Sequence, residues 1–180
     1  MTLLDTTPAS YRVEKDGKSY EFPRVTSVLS LVHRFDGISL DALEHAAERG
    51  LAVHRAIWLL EGGGDGSGLD WGSLTPEVPP YVQGYADFKR MTGFRVVARE
   101  LFVCSRRYGV AGRLDLLVEG LSKRLDVLDL KTGAAHPAHH LQASAYLECY
   151  REQTGSKRAM GRQILYLRDA GAARLDNTIK

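Results

Sequence analysis

Residues 125–133 read LDVLDLKTG, and the reading of this stretch decides the fold. Leu125, Val127, Leu128 and Leu130 make it strand-like, and Thr132-Gly133 ends it with a turn. Successive side chains on a strand point to opposite faces, so Asp129 and Lys131 project to the same side. Two readings follow. The pair is an ion pair closing a half-buried strand, or it is a carboxylate and an ammonium aimed together at a site.

Working outward, FRVVARELFV (94–103) and GVAGRLDLLVE (109–119) precede RLDVLDLK (124–131) with short polar turns between them, the pattern of an antiparallel meander. A helix is expected over 138–154 with Gly155 as its stop. GRQILYLR (161–168) reads as a further strand, and ARLDNTIK (173–180) as another candidate. Upstream, YRVEKDGKSYEF (11–22) alternates around Asp16-Gly17, a hairpin signal that Pro23 ends. From Ser39 or Asp41 to about Glu61 the spacing predicts a helix with Leu43, Ala46, Ala47, Val53, Ile57 and Leu60 on one face and an acidic first turn. Gly50 weakens that helix, which would let another backbone approach. GGGDGSG (62–68) reads as a flexible loop, and the spacing of Asp65 and Asp70 fits no calcium-binding loop. A helix follows to residue 92, its start expected at Tyr81 behind Pro79 and Pro80. The class is α/β or α+β, a mixed sheet flanked by helices.

The chain of 180 residues is long enough for one substantial core, and no repeat or second core is visible, so residues 1–180 are expected to form a single domain. With 44% hydrophobic and 26% charged residues it is composed like a globular protein, and a net charge of +2 permits a nucleic-acid partner without requiring one. Cys104 and Cys149 form no CxxC, so neither a disulfide framework nor a cysteine-bound metal is implied, and a reducing, cytoplasmic setting is expected. The opening MTLLDTTPAS has no basic start or apolar run, and no 18 apolar residues occur together, so neither secretion nor membrane spanning is expected.

Three carboxylates intrude into the three meander strands. Glu100 shares strand parity with Phe94, Val96, Ala98 and Phe102, an apolar row in which a lone carboxylate is costly without a compensating cation. Asp115 sits among Leu114, Leu116 and Leu117, and Asp129 is the third. They could pair with Arg99, Arg113 and Lys131, or converge on a hard cation that binds through oxygen. Gln142 and Tyr146, four apart on the following helix, share a face close to the end of the Lys131 strand.

The ordered set of His54, GRLD (112–115), DLKTG (129–133) and QASAY (142–146) resembles the PD-(D/E)XK nuclease superfamily in its RecB-like exonuclease branch. That branch includes the CRISPR-associated RecB-like and the mitochondrial genome maintenance exonucleases. PRVTSVLSLV (23–32) and ERGLAVHRAI (48–57) resemble its opening helices, and the likeness runs from about residue 20 to 168.

The resemblance implies a restriction-endonuclease-like core with a Mg2+ or Mn2+ site. Asp115 and Asp129 match the acidic ligands, the Leu130 carbonyl a further ligand, His54 the helical histidine ligand, and Lys131 the catalytic lysine. Glu100 stands where the family often has an acidic residue. Gln142 and Tyr146 match the helical motif that supports the catalytic strand and contacts DNA. Leu114 replaces the proline of the motif's name, and the four cysteines of the iron-sulfur members are missing, so no cluster is expected. Arg113, Arg106 and Arg107 are candidates to hold phosphates, with Tyr108 and Tyr146 as stacking surfaces. The implied activity is a metal-dependent DNA exonuclease acting at single-stranded ends in recombination, repair or phage DNA processing. Any unwinding would come from a helicase or recombination partner. A structure-specific or nicking endonuclease shares the same chemistry, and a DNA-binding module with a vestigial site is the non-enzymatic reading.

Overall fold

The computed structural model describes residues 2–31, 39–65 and 67–176. The chain begins with β1 (Thr2–Thr6), β2 (Ser10–Lys15), β3 (Lys18–Pro23) and the short helix α1 (Val25–Ser30). Then come the long helix α2 (Leu40–Leu60), α3 (Pro79–Thr92), and the meander β4 (Arg95–Ser105), β5 (Val110–Glu119) and β6 (Leu125–Lys131). Helix α4 (Pro137–Thr154), β7 (Met160–Leu167) and β8 (Ala173–Asp176) complete the described chain. Residues 177–180 of ARLDNTIK, Val32 of the 23–32 stretch and Gly66 of the glycine loop lie outside the described residues.

The central sheet has the order β4-β5-β6-β7-β8, antiparallel except that β6 and β7 run parallel. Burial explains the composition of β6: Leu125 to Leu130 is buried at every position, because helices cover both faces. On one face Val53, Ala56 and Ile57 of α2 and Val82 and Tyr85 of α3 pack on Leu116, Leu128 and Leu165. On the other, Val25 of α1 and Tyr146, Leu147 and Cys149 of α4 pack on Leu114, Leu117 and Val127. The fold is therefore the mixed sheet flanked by helices that the pattern predicts. Among the described residues no helix is long and apolar enough to cross a membrane.

The hairpin around Asp16-Gly17 forms as expected, but β1 adds a third strand that the sequence signals did not reveal. This small sheet packs through Tyr11, Val13 and Phe22 on Cys104 and Ala111, and Arg24 bridges to Ala111. Helix α3 starts at Pro79, ahead of the expected Tyr81, because the first helical turn tolerates proline's missing N–H. In α2 the Ser39 hydroxyl accepts from the Ala42 N–H as the N-cap, but Ala47 is exposed and full burial begins only at Val53.

One parity argument fails. Phe94 and Val96 pack under α2 and α3, Ala98 packs under α4, and Phe102 packs under the small sheet. The register of β4 against β5 shifts between Val96 and Ala98, and Glu100 has φ of 48°, so the predicted single row around Glu100 does not exist.

Candidate metal centre

The centre is built where β5 and β6 part. Their register runs from Glu119↔Leu125 to Leu116↔Leu128, and beyond it the Leu130 N–H donates to Asp115 Oδ2 at 2.7 Å. A buried backbone donor needs an acceptor, and the Asp115 side chain stands in for the missing strand partner. That fixes the carboxylate at the mouth of the split.

Helix α2 brings His54 over the same point. Its Nδ1 lies 3.3 Å from Asp115 Oδ1 and its Nε2 3.1 Å from the Leu130 carbonyl oxygen. Glu100 enters from β4, and one ligand atom each from His54, Glu100 and Asp115 lie within 4.8 Å of one another. Glu100 reaches the group through the irregular β4 backbone and not through the predicted apolar row. Gly50, one turn before His54, is less constrained than its sequence position suggests: a Cβ there would meet Thr132 Oγ1 at 3.5 Å, an ordinary contact.

Asp129 is fully buried, with Oδ2 2.7 Å from Lys131 Nζ, while Oδ1 has no hydrogen-bond partner among the described residues. The same-side placement of Asp129 and Lys131 is therefore real, and the pair is interior rather than a surface ion pair. Lys131 Nζ also donates to Gln142 Oε1 at 3.2 Å, and Gln142 Nε2 donates to the Tyr146 hydroxyl at 3.1 Å. The i, i+4 spacing on α4 thus makes a relay that holds the ammonium. Gly112 completes it from β5, because a Cβ at that position would collide with the Tyr146 ring.

Charge balance in the centre is unfinished. Burial works against a charged His54, but the Asp115 carboxylate beside it overrides this and raises its pKa from 6.5 to about 9. Burial opposes ionisation of Asp115 too, yet His54 and Lys131 hold its pKa below the ordinary carboxylate value. Asp129 goes the other way, raised to about 6 by burial, with the attraction of Lys131 outweighed once the Asp115 charge is added. Glu100 is raised by burial and by Asp115. For Lys131, burial disfavours the ammonium, but Asp129 and Asp115 keep its pKa above the usual lysine range.

These residues fit a hard divalent cation. Carboxylates from Glu100 and Asp115 and the His54 imidazole, which converge, with the Leu130 carbonyl beside His54, suit Mg2+ or Mn2+, and Asp129 stands outside that converging trio. The unpartnered Asp129 oxygen is a buried acceptor with nothing to accept from, the kind of group a cation satisfies.

Among the candidate DNA contacts, exposed Arg113 lines clefts on both sides of Glu100, one of about 330 Å³ and one of about 390 Å³. Arg106 and Arg107 lie instead on the β4–β5 turn, over Tyr20 and Tyr108, and line neither cleft. Tyr146, only 4% exposed and packed on Gly112, lines the 330 Å³ cleft, while Tyr108 is 55% exposed with Arg107 over its ring. Sequence reasoning missed Arg24, held by Thr6 Oγ1 at 2.7 Å and the Thr7 carbonyl at 2.8 Å, which closes the 330 Å³ cleft with Thr6 and Tyr11. No motif marked it, because the contact depends on the unforeseen strand β1.

Comparison with known families finds that a sequence model of the PD-(D/E)XK nuclease superfamily matches residues 27–177. No curated protein matches the chain significantly.

Proposed function

Since the chain belongs to the PD-(D/E)XK nuclease superfamily, whose members cleave nucleic acid with divalent metals, we propose that it is a DNA exonuclease of the RecB-like branch. Its proposed substrate is a single-stranded DNA end, in recombination, repair or phage DNA processing. In this reading residues 1–180 are one cytoplasmic nuclease domain that needs no iron-sulfur cluster and depends on a helicase or recombination protein where strands must be separated.

The observation that carries the proposal is the trio of His54, Glu100 and Asp115, whose ligand atoms lie within 4.8 Å of one another, with the Leu130 carbonyl 3.1 Å from His54 and the buried Asp129–Lys131 pair linked to Asp115 by charge. His54, Asp115, Asp129, Leu130 and Glu100 would hold Mg2+ or Mn2+. The bound cation supplies a hydroxide-like nucleophile at neutral pH and offsets charge on the phosphate. Lys131 orients or deprotonates the attacking water and stabilises the negative charge that builds on the phosphate oxygens. Gln142 and Tyr146 keep its Nζ in place. Arg113, flanking the centre on both sides, binds the backbone on either side of the cut, and Arg106 and Arg107 contact more distant phosphates.

End-labelled linear and circular single strands, incubated with Mn2+ and then with EDTA, test the reading. Loss of the linear strand alone, abolished by EDTA, is expected. Cutting of the circle makes the protein an endonuclease built on the same site, and binding without cleavage makes it a DNA-binding module with a vestigial centre.

A further inference from the structure

We propose that the 390 Å³ cleft beside the metal centre is a subsite for one unpaired nucleobase, built by α2 and the glycine loop behind it. The proposal deepens the nuclease reading and rests on it for the identity of the strand. Leu51, His54, Arg55 and Trp58 follow the i, i+3, i+4, i+7 spacing of one helical face, and all four line this cleft. His54 on that face belongs to the centre, so whatever lies along the stripe lies next to the reacting phosphate.

The other members of the stripe have the chemistry of a base platform. Arg55 lies over the Trp58 ring, its Cζ 4.1 Å from the centroid, so the stacking surface is the guanidinium plane with the indole behind it. Gly63 seats the indole from the loop: any Cβ there would collide with it, so the glycine run is a bed for Trp58 and not only a spacer. Arg99 pins this loop by donating to the Gly62 carbonyl at 2.8 Å. Leu51 is 75% exposed, an apolar side chain that contributes little to the core yet borders a charged site. Across the cleft Arg99 and Arg113 outweigh Glu100 in charge.

An apolar Leu51 side chain and the Arg55 guanidinium backed by the Trp58 indole, edged by two further arginines, fit a base with its phosphate. At about 390 Å³ the cleft is at the small end of the range of ligand sites, roughly 300–1,000 Å³, and suits a single nucleotide. A base stacked and paired in a duplex cannot enter it without leaving the stack, so the subsite selects an unpaired strand.

The test measures binding in EDTA, without cleavage, comparing a fluorescent oligothymidylate with an abasic strand of equal length and charge. The wild type should prefer the base-bearing strand by about tenfold, within the range expected of aromatic stacking. Trp58→Ala should bring that preference close to one while its circular dichroism is unchanged. Because Trp58 is partly buried, exposed Leu51→Asn is a second probe: it should cut the preference about threefold and leave affinity for the abasic strand unchanged. A wild-type protein indifferent to bases, or variants that keep the full preference, overturns the subsite. Base-dependent binding by a protein that cuts nothing in Mn2+ would instead sink the nuclease reading and leave the subsite standing.

Discussion

His54 and Leu130 are 76 residues apart in sequence and meet at 3.1 Å, imidazole Nε2 against carbonyl oxygen. The other ring nitrogen faces Asp115 at 3.3 Å, so both nitrogens point at oxygen acceptors. Without a cation, that arrangement favours the doubly protonated ring, which donates at both ends.

A pH dependence with a definite sign follows. The His54 pKa is raised from 6.5 to about 9, so its stabilising contribution is complete below about 6.5 and lost as pH rises through about 9. In EDTA, His54→Gln should lower the melting temperature clearly at about pH 6 and little at about pH 9.5, the difference being at most about 3 kcal/mol. Equal losses at both ends would show that the imidazole is only packed there.

Metal binding must expel the same proton. The Mn2+ affinity of the wild type should therefore climb between about pH 7 and 9, up to tenfold per unit. Calorimetric titration at several pH values reads this slope, and in His54→Gln it should flatten while overall affinity falls.

Asp129→Asn and Lys131→Ala separate holding the cation from using it. The first removes the charge of a buried carboxylate, proposed as a ligand, with an unpartnered oxygen, so cleavage and the rise in melting temperature on adding Mn2+ should both vanish. Asp115→Asn should behave likewise. Lys131→Ala should be as inactive as these variants, yet keep the Mn2+-induced rise in melting temperature, since its ammonium attracts no cation. An active Asp129→Asn protein would remove that residue from the centre.

Two glycines should respond oppositely to alanine. Gly112→Ala drives a Cβ into the Tyr146 ring and should cost about 1–3 kcal/mol, weakening turnover as the Gln142 relay is displaced. Gly50→Ala has room and should stabilise α2 by about 0.5–1 kcal/mol with activity intact. Chemical denaturation and a cleavage assay check both.

Local patterning made the meander, the α4 stop and the shared side of Asp129 and Lys131 legible, because each depends on a short period or a turn residue. It could not place Glu100, since one register shift and one left-handed residue in β4 break the parity such reasoning relies on. Strand β1 also escaped it: Thr2–Thr6 is mostly exposed and carries no alternation strong enough to read. The approach of His54 to the sheet is a long-range event that helix periodicity cannot give. The ordered motif set, through its family resemblance, was what brought that residue to the centre.

The hydrogen bond from the Leu130 N–H to Asp115 ties a candidate catalytic group to the integrity of the sheet. In a lineage freed from cutting, selection for folding alone would still keep an acceptor at position 115, Asp or Asn, to avoid stranding that buried donor. Lys131, whose Nζ lies 2.7 Å from the fully buried Asp129, is held by folding in the same way, since its loss would strand that carboxylate. An aspartate surviving at 115 beside an intact Asp129–Lys131 pair is therefore weak testimony that a relative still works.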